Sequence, residues 1–257
     1  ETHTNFNAFD RAYFIKNIAN PLSKQLYQCQ KSASIPFVKE TRALKTTAQT
    51  LFDKEAFDIE AFNGFPDYKT TPEKIALGKK LFNDPILSGN NTRSCASCHH
   101  SDIAFTDGLE QTISLDGKTK VKRNTPTLMN IAFQRAFFYD SKVSYLEDQA
   151  VAVITNEIEM HGSLEKSVKA LKNDKKYAAE FKKAFPKNEI NEFGIKNALA
   201  SYVRSLSQYN SKFDAYMRDE VEFSSDEKAG FNLFAGKAKC ATCHFIPLTN
   251  GTVPPNF

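Results

Sequence analysis

A short cysteine and histidine pattern, Cys-x-x-Cys-His, constrains this chain more than any other feature because it occurs twice. The two copies consist of Cys95, Cys98 and His99 in the first, and Cys240, Cys243 and His244 in the second. The pattern is typical of covalent attachment of a c-type haem, in which both thiols bind the porphyrin and the histidine ligates the iron. The sequence therefore predicts two covalently bound haems.

Two other uses of paired cysteines compete with this interpretation. The two pairs of a four-thiolate zinc site usually lie about 15–20 residues apart, whereas more than a hundred residues separate Cys98 from Cys240. A thioredoxin-like pair would need a strand followed by a helix, and no such pattern surrounds either copy. The histidine that adjoins both pairs favours haem. The remaining cysteine, Cys29, is expected to be a small buried hydrophobe.

Composition narrows the class of protein. A chain of 257 residues with 41% hydrophobic side chains can bury a core in one large or two ordinary domains. No apolar run approaches the roughly 18 residues of a membrane span. The net charge of +4 is small and its lysines are scattered, which indicates solvated surface and no nucleic-acid partner. The absence of an initiating methionine and of a signal-like segment is expected of a mature periplasmic protein whose export signal has been removed, and a shortened sequence would look the same.

The apolar spacing is helical almost throughout, so we expect an all-α fold. The N-terminal residues 1–65 are interpreted as a helical extension that carries no chemistry. Its first helix should end or kink at Pro21, and a second is predicted from about Pro36 to Phe52. A short hairpin is expected in the Gly108–Lys122 loop. Further helices are predicted over residues 143–154, 163–172, 174–185 and 189–208.

An internal repeat accompanies the two cysteine motifs. Gly78–Phe82 before the first copy and Gly230–Phe234 before the second share the pattern Gly-x-x-Leu-Phe. A helix followed by this motif is a cytochrome c-like module, and its repetition predicts two modules. We expect a first haem domain over residues 66–208 and a second over residues 209–257.

The second module is expected to be incomplete. A cytochrome c module normally supplies a sixth iron ligand, commonly methionine, from downstream of its motif. All three methionines, Met129, Met160 and Met217, precede His244. The natural protein is therefore expected to be longer.

A known family is recognisable between the two motifs. The run RNTPTLMNIAFQRAFFYD at Arg123–Asp140, LEDQA at 146–150 and NEIEM at 156–160 resemble the bacterial dihaem cytochrome c peroxidase and MauG family. The resemblance covers about residues 70–257. It implies a peroxidatic haem ligated by His99 and a second haem, ligated by His244, that receives electrons from a small donor protein.

The resemblance also implies roles for individual residues. Gln149 and Glu159 match the distal glutamine and glutamate, and Asn124 matches a ligand of a calcium ion between the haems. A carboxylate in an apolar pocket can move the peroxide proton, because desolvation raises its pKa toward neutrality. From spacing alone, Glu159 would be interpreted as an exposed charge at a helix end.

Two departures from the family pattern affect these expectations. The family usually has tryptophan between the haems where this chain has Tyr139. The resemblance implies that Tyr139 relays electrons between the haems, although tyrosine oxidation normally also requires proton loss. Many members carry a histidine in the loop that here spans residues 101–123, which contains none. We therefore expect an open peroxidatic iron, with His100 held too close to His99 to reach the opposite face. His161 is the one rival cap, and we expect it to point to solvent.

The sequence thus predicts a dihaem peroxidase that reduces hydrogen peroxide with electrons from a small cytochrome c or cupredoxin. One alternative is a MauG-like oxidase that modifies a partner protein. Another is a non-catalytic electron-transfer subunit, and residues 1–65 are a candidate contact for a homodimer or larger assembly.

Overall fold

Helices dominate the computed structural model, which describes residues 5–40 and 42–249. They are α1 (Arg11–Phe14), α2 (Asn20–Ser32), α3 (Pro72–Asn83), α4 (Leu146–Thr155), α5 (Leu164–Asn173), α6 (Lys175–Ala184), α7 (Glu192–Arg204), α8 (Lys212–Met217) and α9 (Ser225–Ala235). In these ranges β pairing is confined to isolated bridges, so the all-α prediction is confirmed. The hairpin expected in the Gly108–Lys122 loop is reduced to one bridge between Ile113 and Lys120.

The chain divides into two compact units. One comprises Phe62–Ser207, and the other combines Glu1–Ala61 with Gln208–Val253. The N-terminal segment thus shares a unit with the second cysteine motif, while the division into three domains stays a prediction. None of the helices in the described ranges combines the length and apolar character needed to cross a bilayer.

Local capping sets the limits of α3. The Thr71 hydroxyl accepts a hydrogen bond from the Lys74 amide at 3.3 Å, and Pro72 occupies the first helical position. At the other end, the Asp84 carboxylate accepts from the Ile86 amide at 2.9 Å and starts a separate 3₁₀ turn. The helix therefore ends where the loop to the first cysteine motif begins.

A glycine allows α3 to cross α7 closely in the unit Phe62–Ser207. A Cβ atom built on Gly78 would lie 1.9 Å from the backbone oxygen of Ala198. Around this crossing Leu81 and Ile195 are fully buried, as is Leu171 of α5. The crossing forms the centre of the core on which the first motif rests. The corresponding glycine of the repeat is Gly230. Apart from its chain neighbours and the backbone of its own helix, no atom of the described residues lies within 4 Å of a Cβ atom built on it.

In the other unit, α1 is fastened to α9 by one asparagine. The Asn232 side-chain oxygen accepts hydrogen bonds from the Arg11 amide at 2.8 Å and the Ala12 amide at 3.0 Å. A capping box starts α9, since the side chains of Ser224 and Glu227 each accept from the other's backbone amide. The small core consists of Ala12, Phe52, Tyr216 and Met217.

The helix expected between about Pro36 and Phe52 is wrong. This segment bends back instead, and the Lys45 amide donates to the Ala56 oxygen while the Asp58 amide donates to the Ala43 oxygen, both at 2.8 Å. The apolar residues on which the helix was predicted recur only every seven positions. One apolar residue in two turns is too few for a helix to be held on a core.

Two further expectations for the N-terminal segment are corrected. Of the two outcomes expected at Pro21, an end or a kink, the end is wrong. The helical path continues through a π-helical turn, Ile15–Ala19, in which the Asn20 amide donates to the Ile15 oxygen. Pro21 then falls in the first turn of α2, where its missing N–H is tolerated. Cys29, expected to be buried, is exposed on α2.

Candidate functional site

The first motif folds as one tight turn. Cys95–Ser97 is a 3₁₀ turn in which the Cys98 and His99 amides donate to the Cys95 oxygen at 3.2 and 2.9 Å. A cap between Ser94 and Ser97 starts it, with the Ser94 amide donating to the Ser97 hydroxyl at 3.0 Å. The turn brings both thiols and the imidazole together, and both thiols are half-buried.

The His99 ring is held in one orientation. Its Nδ1 lies 2.7 Å from the Phe105 carbonyl oxygen, which can only accept, so Nδ1 donates and Nε2 keeps its lone pair. Burial lowers the pKa of His99, against the opposing effects of the Phe105 hydrogen bond and the charge of Asp107. The imidazole is therefore neutral and oriented, as a metal ligand must be.

Burial also acts on the two thiols of this motif. It raises the pKa of Cys95 to about 12 and raises that of Cys98 as well. Such thiols lack the thiolate character of a reactive redox pair. Moreover, in the part of the chain that the structure describes, no three or more histidine, cysteine, aspartate or glutamate side chains are arranged to hold a metal ion by themselves. The two thiols do not suit a thioredoxin-like pair.

A cavity of about 700 Å³ opens beside the motif. Apolar side chains form most of its wall: Phe82, Leu128, Ile131, Phe137, Leu146, Val153, Ile154, Met160, Leu199 and Val203. Four cationic side chains also line it: Arg93, Lys122, Arg123 and Lys142. The cavity is thus an apolar chamber that offers partners for anionic groups.

The structure brings the two predicted distal residues into this cavity. Gln149 lies on α4 and Glu159 in the loop that follows it; both are half-buried and line the chamber. Burial raises the pKa of Glu159, and the charges of Lys142 and Arg93 oppose the shift. The carboxyl group is therefore poised to exchange a proton nearer to neutral pH than an exposed glutamate would.

Close backbone packing fixes the loop that carries Glu159. The Gly89 amide donates to the Met160 oxygen at 2.9 Å, and the Gly162 amide donates to the Ile154 oxygen at 2.7 Å. A Cβ atom on either glycine would stand 2.1 Å from a backbone oxygen of the facing segment. Only glycine fits at these two contacts, so the loop is locked against the segment that precedes the first motif.

Tyr139 and Asn124 lie at the open side of the same cavity. Both are exposed, Tyr139 to 76%, and the Arg123 guanidinium stands 4.1 Å from the centre of the tyrosine ring. His161 and His100 are exposed and do not line the chamber. His99 is the sole histidine among the described residues that form its wall.

The second motif repeats the local geometry of the first. Cys240–Thr242 is again a 3₁₀ turn, and the Cys243 and His244 amides donate to the Cys240 oxygen at 3.1 and 2.9 Å. The His244 Nδ1 lies 3.0 Å from the Thr249 carbonyl oxygen. This contact corresponds to that of the His99 Nδ1 with the Phe105 carbonyl oxygen. Here the two thiols and the imidazole are exposed. The internal repeat thus extends to hydrogen bonding.

Comparison with known proteins agrees with this geometry. The model of the family described as di-haem cytochrome c peroxidase matches residues 72–222, more than half of the chain. The chain belongs to the di-haem cytochrome c peroxidase family. This membership implies haem c as the cofactor.

Individual relatives of this family show how much of the chain is shared. The methylamine utilization protein MauG of Methylorubrum extorquens is 41% identical over 68% of this chain and 50% of its own length. The cytochrome c551 peroxidase of Nitrosomonas europaea is 34% identical over 73% of this chain and 57% of its own length. A solved MauG-like protein associated with microbial copper homeostasis has a TM-score of 0.68 and 31% identity, covering 73% of this chain and 56% of its own. The chain thus spans about half the length of the curated relatives it matches.

The residues present fit a c-type haem. The cavity has the volume and the apolar lining of a cofactor site. His99 presents a free Nε2, two neutral thiols adjoin it, and the four cationic side chains can pair with propionates. Sequence reasoning missed the lining residues Arg93, Lys142 and Asn156. For Asn156 the sequence did contain a signal, because this residue begins the NEIEM run that resembles the family.

Proposed function

We propose that this protein is a peroxidase that reduces hydrogen peroxide to water. The reaction takes up two protons and two electrons for each peroxide and yields two waters, and the electrons come from a small cytochrome c or cupredoxin. The observation that carries the proposal is that Glu159, whose pKa is raised by burial, lines the same cavity as the first haem motif. Two relatives bear the name cytochrome c551 peroxidase.

The roles of the lining residues follow from their chemistry. Cys95, Cys98 and His99 would hold a haem, which when bound would supply the iron that binds peroxide and the electrons that reduce it. Cleaving the O–O bond requires one proton to move from the near to the far oxygen of peroxide. The Glu159 carboxylate takes that proton and returns it to the departing oxygen. Gln149 remains neutral at every pH and donates a hydrogen bond that orients peroxide.

Further parts of the proposal rest on the family resemblance. The second motif holds a second haem that receives electrons from the donor, and Tyr139 relays them toward the first. Asn124 contributes to a calcium site. The protein acts in the periplasm, where its family's small redox donors are found.

A MauG-like oxidase is the second candidate. Two observations favour it, namely the 41% identity to a MauG protein and the exposure of Tyr139 at the open side of the cavity. An exposed aromatic ring can pass oxidising equivalents to a partner protein.

Steady turnover of peroxide with a reduced small cytochrome c supports the peroxidase. Peroxide consumption without oxidation of that cytochrome supports the oxidase.

The decisive experiment compares two glutamates of one loop in the full-length holoprotein. Glu159→Gln is expected to keep both haems and to lose peroxidase activity by roughly 10²–10⁴-fold, the contribution of a positioned acid–base group. The control is Glu157→Gln, because Glu157 is exposed and does not line the cavity. A loss of less than about threefold in Glu159→Gln removes this carboxylate from the mechanism.

A further inference from the structure

The Asn156 side chain forms two hydrogen bonds within the loop that carries Glu159, and one of them is to the Glu159 carboxylate itself. Its side-chain Nδ2 donates to the Glu159 carboxylate oxygen Oε1 at 3.0 Å, and its Oδ1 accepts from the Ile158 amide at 3.1 Å. The Ile158 amide can only donate, so it fixes which end of the side-chain amide is oxygen. The NH₂ group must therefore face Glu159.

The backbone of Asn156 closes the same turn independently of its side chain. Its carbonyl oxygen accepts from the Glu159 and Met160 amides, each at 3.1 Å, and from the His161 amide at 2.8 Å. The loop is also held by the two glycine contacts described above. The side chain can therefore be altered without removing the hydrogen bonds that form the turn.

We propose that Asn156 is the positioning residue that holds Glu159 Oε1 and leaves Oε2 as the oxygen that exchanges the proton with substrate. This inference rests on the proposed role of Glu159. The asparagine NH₂ group donates and cannot accept, and an unprotonated carboxyl oxygen is a better acceptor than a protonated one. The hydrogen bond to Oε1 is therefore strongest while that oxygen carries no proton. The proton taken from peroxide is thereby directed to Oε2.

An amide suits this task because it does not titrate. A lysine or arginine at position 156 would stabilise the carboxylate so strongly that it could not be protonated, whereas the amide stabilises it less. The charged groups that act on Glu159 are Lys142 and Arg93, both of which line the cavity. Asn156 thus orients the carboxyl group in both protonation states.

The test uses two variants of Asn156 in the full-length holoprotein. Asn156→Asp keeps an acceptor for the Ile158 amide but replaces the donor that faces Glu159, and Asn156→Ala removes both. Each should lower kcat about 10²-fold, as misplacement of a reacting group does, with little change in KM. Both should move the rising limb of the kcat–pH profile to higher pH, since the ionised carboxylate loses a hydrogen bond. If Asn156→Ala does not fold, Asn156→Asp carries the test.

Two further measurements separate positioning from general structural damage. In the double variant Asn156→Asp/Glu159→Gln, kcat should fall no further than in Glu159→Gln alone, because Asn156 acts through the carboxylate. The infrared band of the protonated carboxyl group, identified by its absence in Glu159→Gln, should shift in Asn156→Asp. Additive losses, or an unshifted band with kcat within about threefold of the parent, would overturn the inference. Full activity in Glu159→Gln would remove Glu159 from the proposed mechanism and overturn this inference with it, whereas absence of peroxidase activity in the parent would overturn the proposed function.

Discussion

Arg204 of α7 forms a two-pronged ion pair with Glu147 of α4 in the interior of the unit Phe62–Ser207. The Arg204 Nη1 and Nη2 atoms donate to Glu147 Oε1 and Oε2 at 2.8 and 2.9 Å, and both side chains are buried. Asn197 donates a third hydrogen bond to Oε1 at 3.1 Å. The pair connects the helix that carries Gln149 to the helix that crosses α3.

Removing one member of this pair should destabilise the protein strongly. Arg204→Met leaves the Glu147 carboxylate buried without its cation, which typically costs about 3–5 kcal/mol. Urea unfolding of the holoprotein measures the loss. Lys196→Met is the control on the same two helices, because its ion pair with Asp148 at 3.2 Å is partly exposed and should contribute about 1 kcal/mol or less. Equal effects of the two variants would contradict the prediction.

The two glycines of the internal repeat should respond oppositely to the same change. Gly78→Ala drives a methyl group against the Ala198 backbone oxygen and should cost at least about 1–3 kcal/mol, as overpacking does. Gly230→Ala, in open space on α9, should be neutral or stabilising by up to about 1 kcal/mol through helix propensity. Thermal unfolding of the two variants measures both changes in stability. An equal loss of stability in Gly230→Ala would contradict the prediction and show that other residues pack against α9 at Gly230.

The raised pKa of Glu159 makes a prediction about stability as well as rate. Because burial favours the neutral form, the folded state loses stability as pH rises from the ordinary carboxyl range through the raised pKa. Glu159→Gln removes this loss. At neutral pH it should be at least as stable as the parent, and the difference should vanish below about pH 4. Peroxidase activity of the parent should rise over the interval in which its stability falls. A variant that is less stable at neutral pH but not at pH 4 would contradict this.

Tyr139 should matter for electron transfer and not for folding. Tyr139→Phe keeps the exposed ring under Arg123 and removes the oxidisable hydroxyl, so we expect slower electron transfer between the haems with unchanged stability. Rapid-mixing absorption spectra of the half-reduced protein measure the rate. Tyr145→Phe serves as the control, since that ring packs on Phe65. An unchanged rate in Tyr139→Phe excludes the relay.

The haem at the first motif should be reactive without prior reduction. His161 is exposed, and His99 alone among histidines of the described wall faces the cavity. We therefore expect a high-spin ferric signal in the electron paramagnetic resonance spectrum of the untreated holoprotein, and a peroxide reaction without a lag. Two fully low-spin haems, with a lag that His161→Ala abolishes, would show instead that His161 closes the site.

Features that depend on neighbouring residues are set by the local sequence. The cap at Thr71, the capping box at Ser224 and the turn of Cys95–Ser97 each arise from hydrogen bonds between residues a few positions apart. The repeated cysteine motif could likewise be recognised from the sequence, because the thiols and histidine that bind haem all lie within five consecutive residues. The helix predicted over Pro36–Phe52 is wrong because this segment instead pairs with residues 56–58, which lie beyond the end of the apolar spacing on which the helix was predicted.

The character of the site was decided by tertiary structure. Spacing alone would place Glu159 at an exposed helix end, and the family resemblance was needed to assign it a role. The fold half-buries this carboxylate against an apolar wall, and this burial raises its pKa, while the charges of Lys142 and Arg93 oppose the shift. The wall and the two cations come from separate parts of the chain. Desolvation and long-range charge depend on which segments meet in space. The sequence by itself therefore determined which cofactor the chain is built to hold, and only the fold decided which side chains surround it.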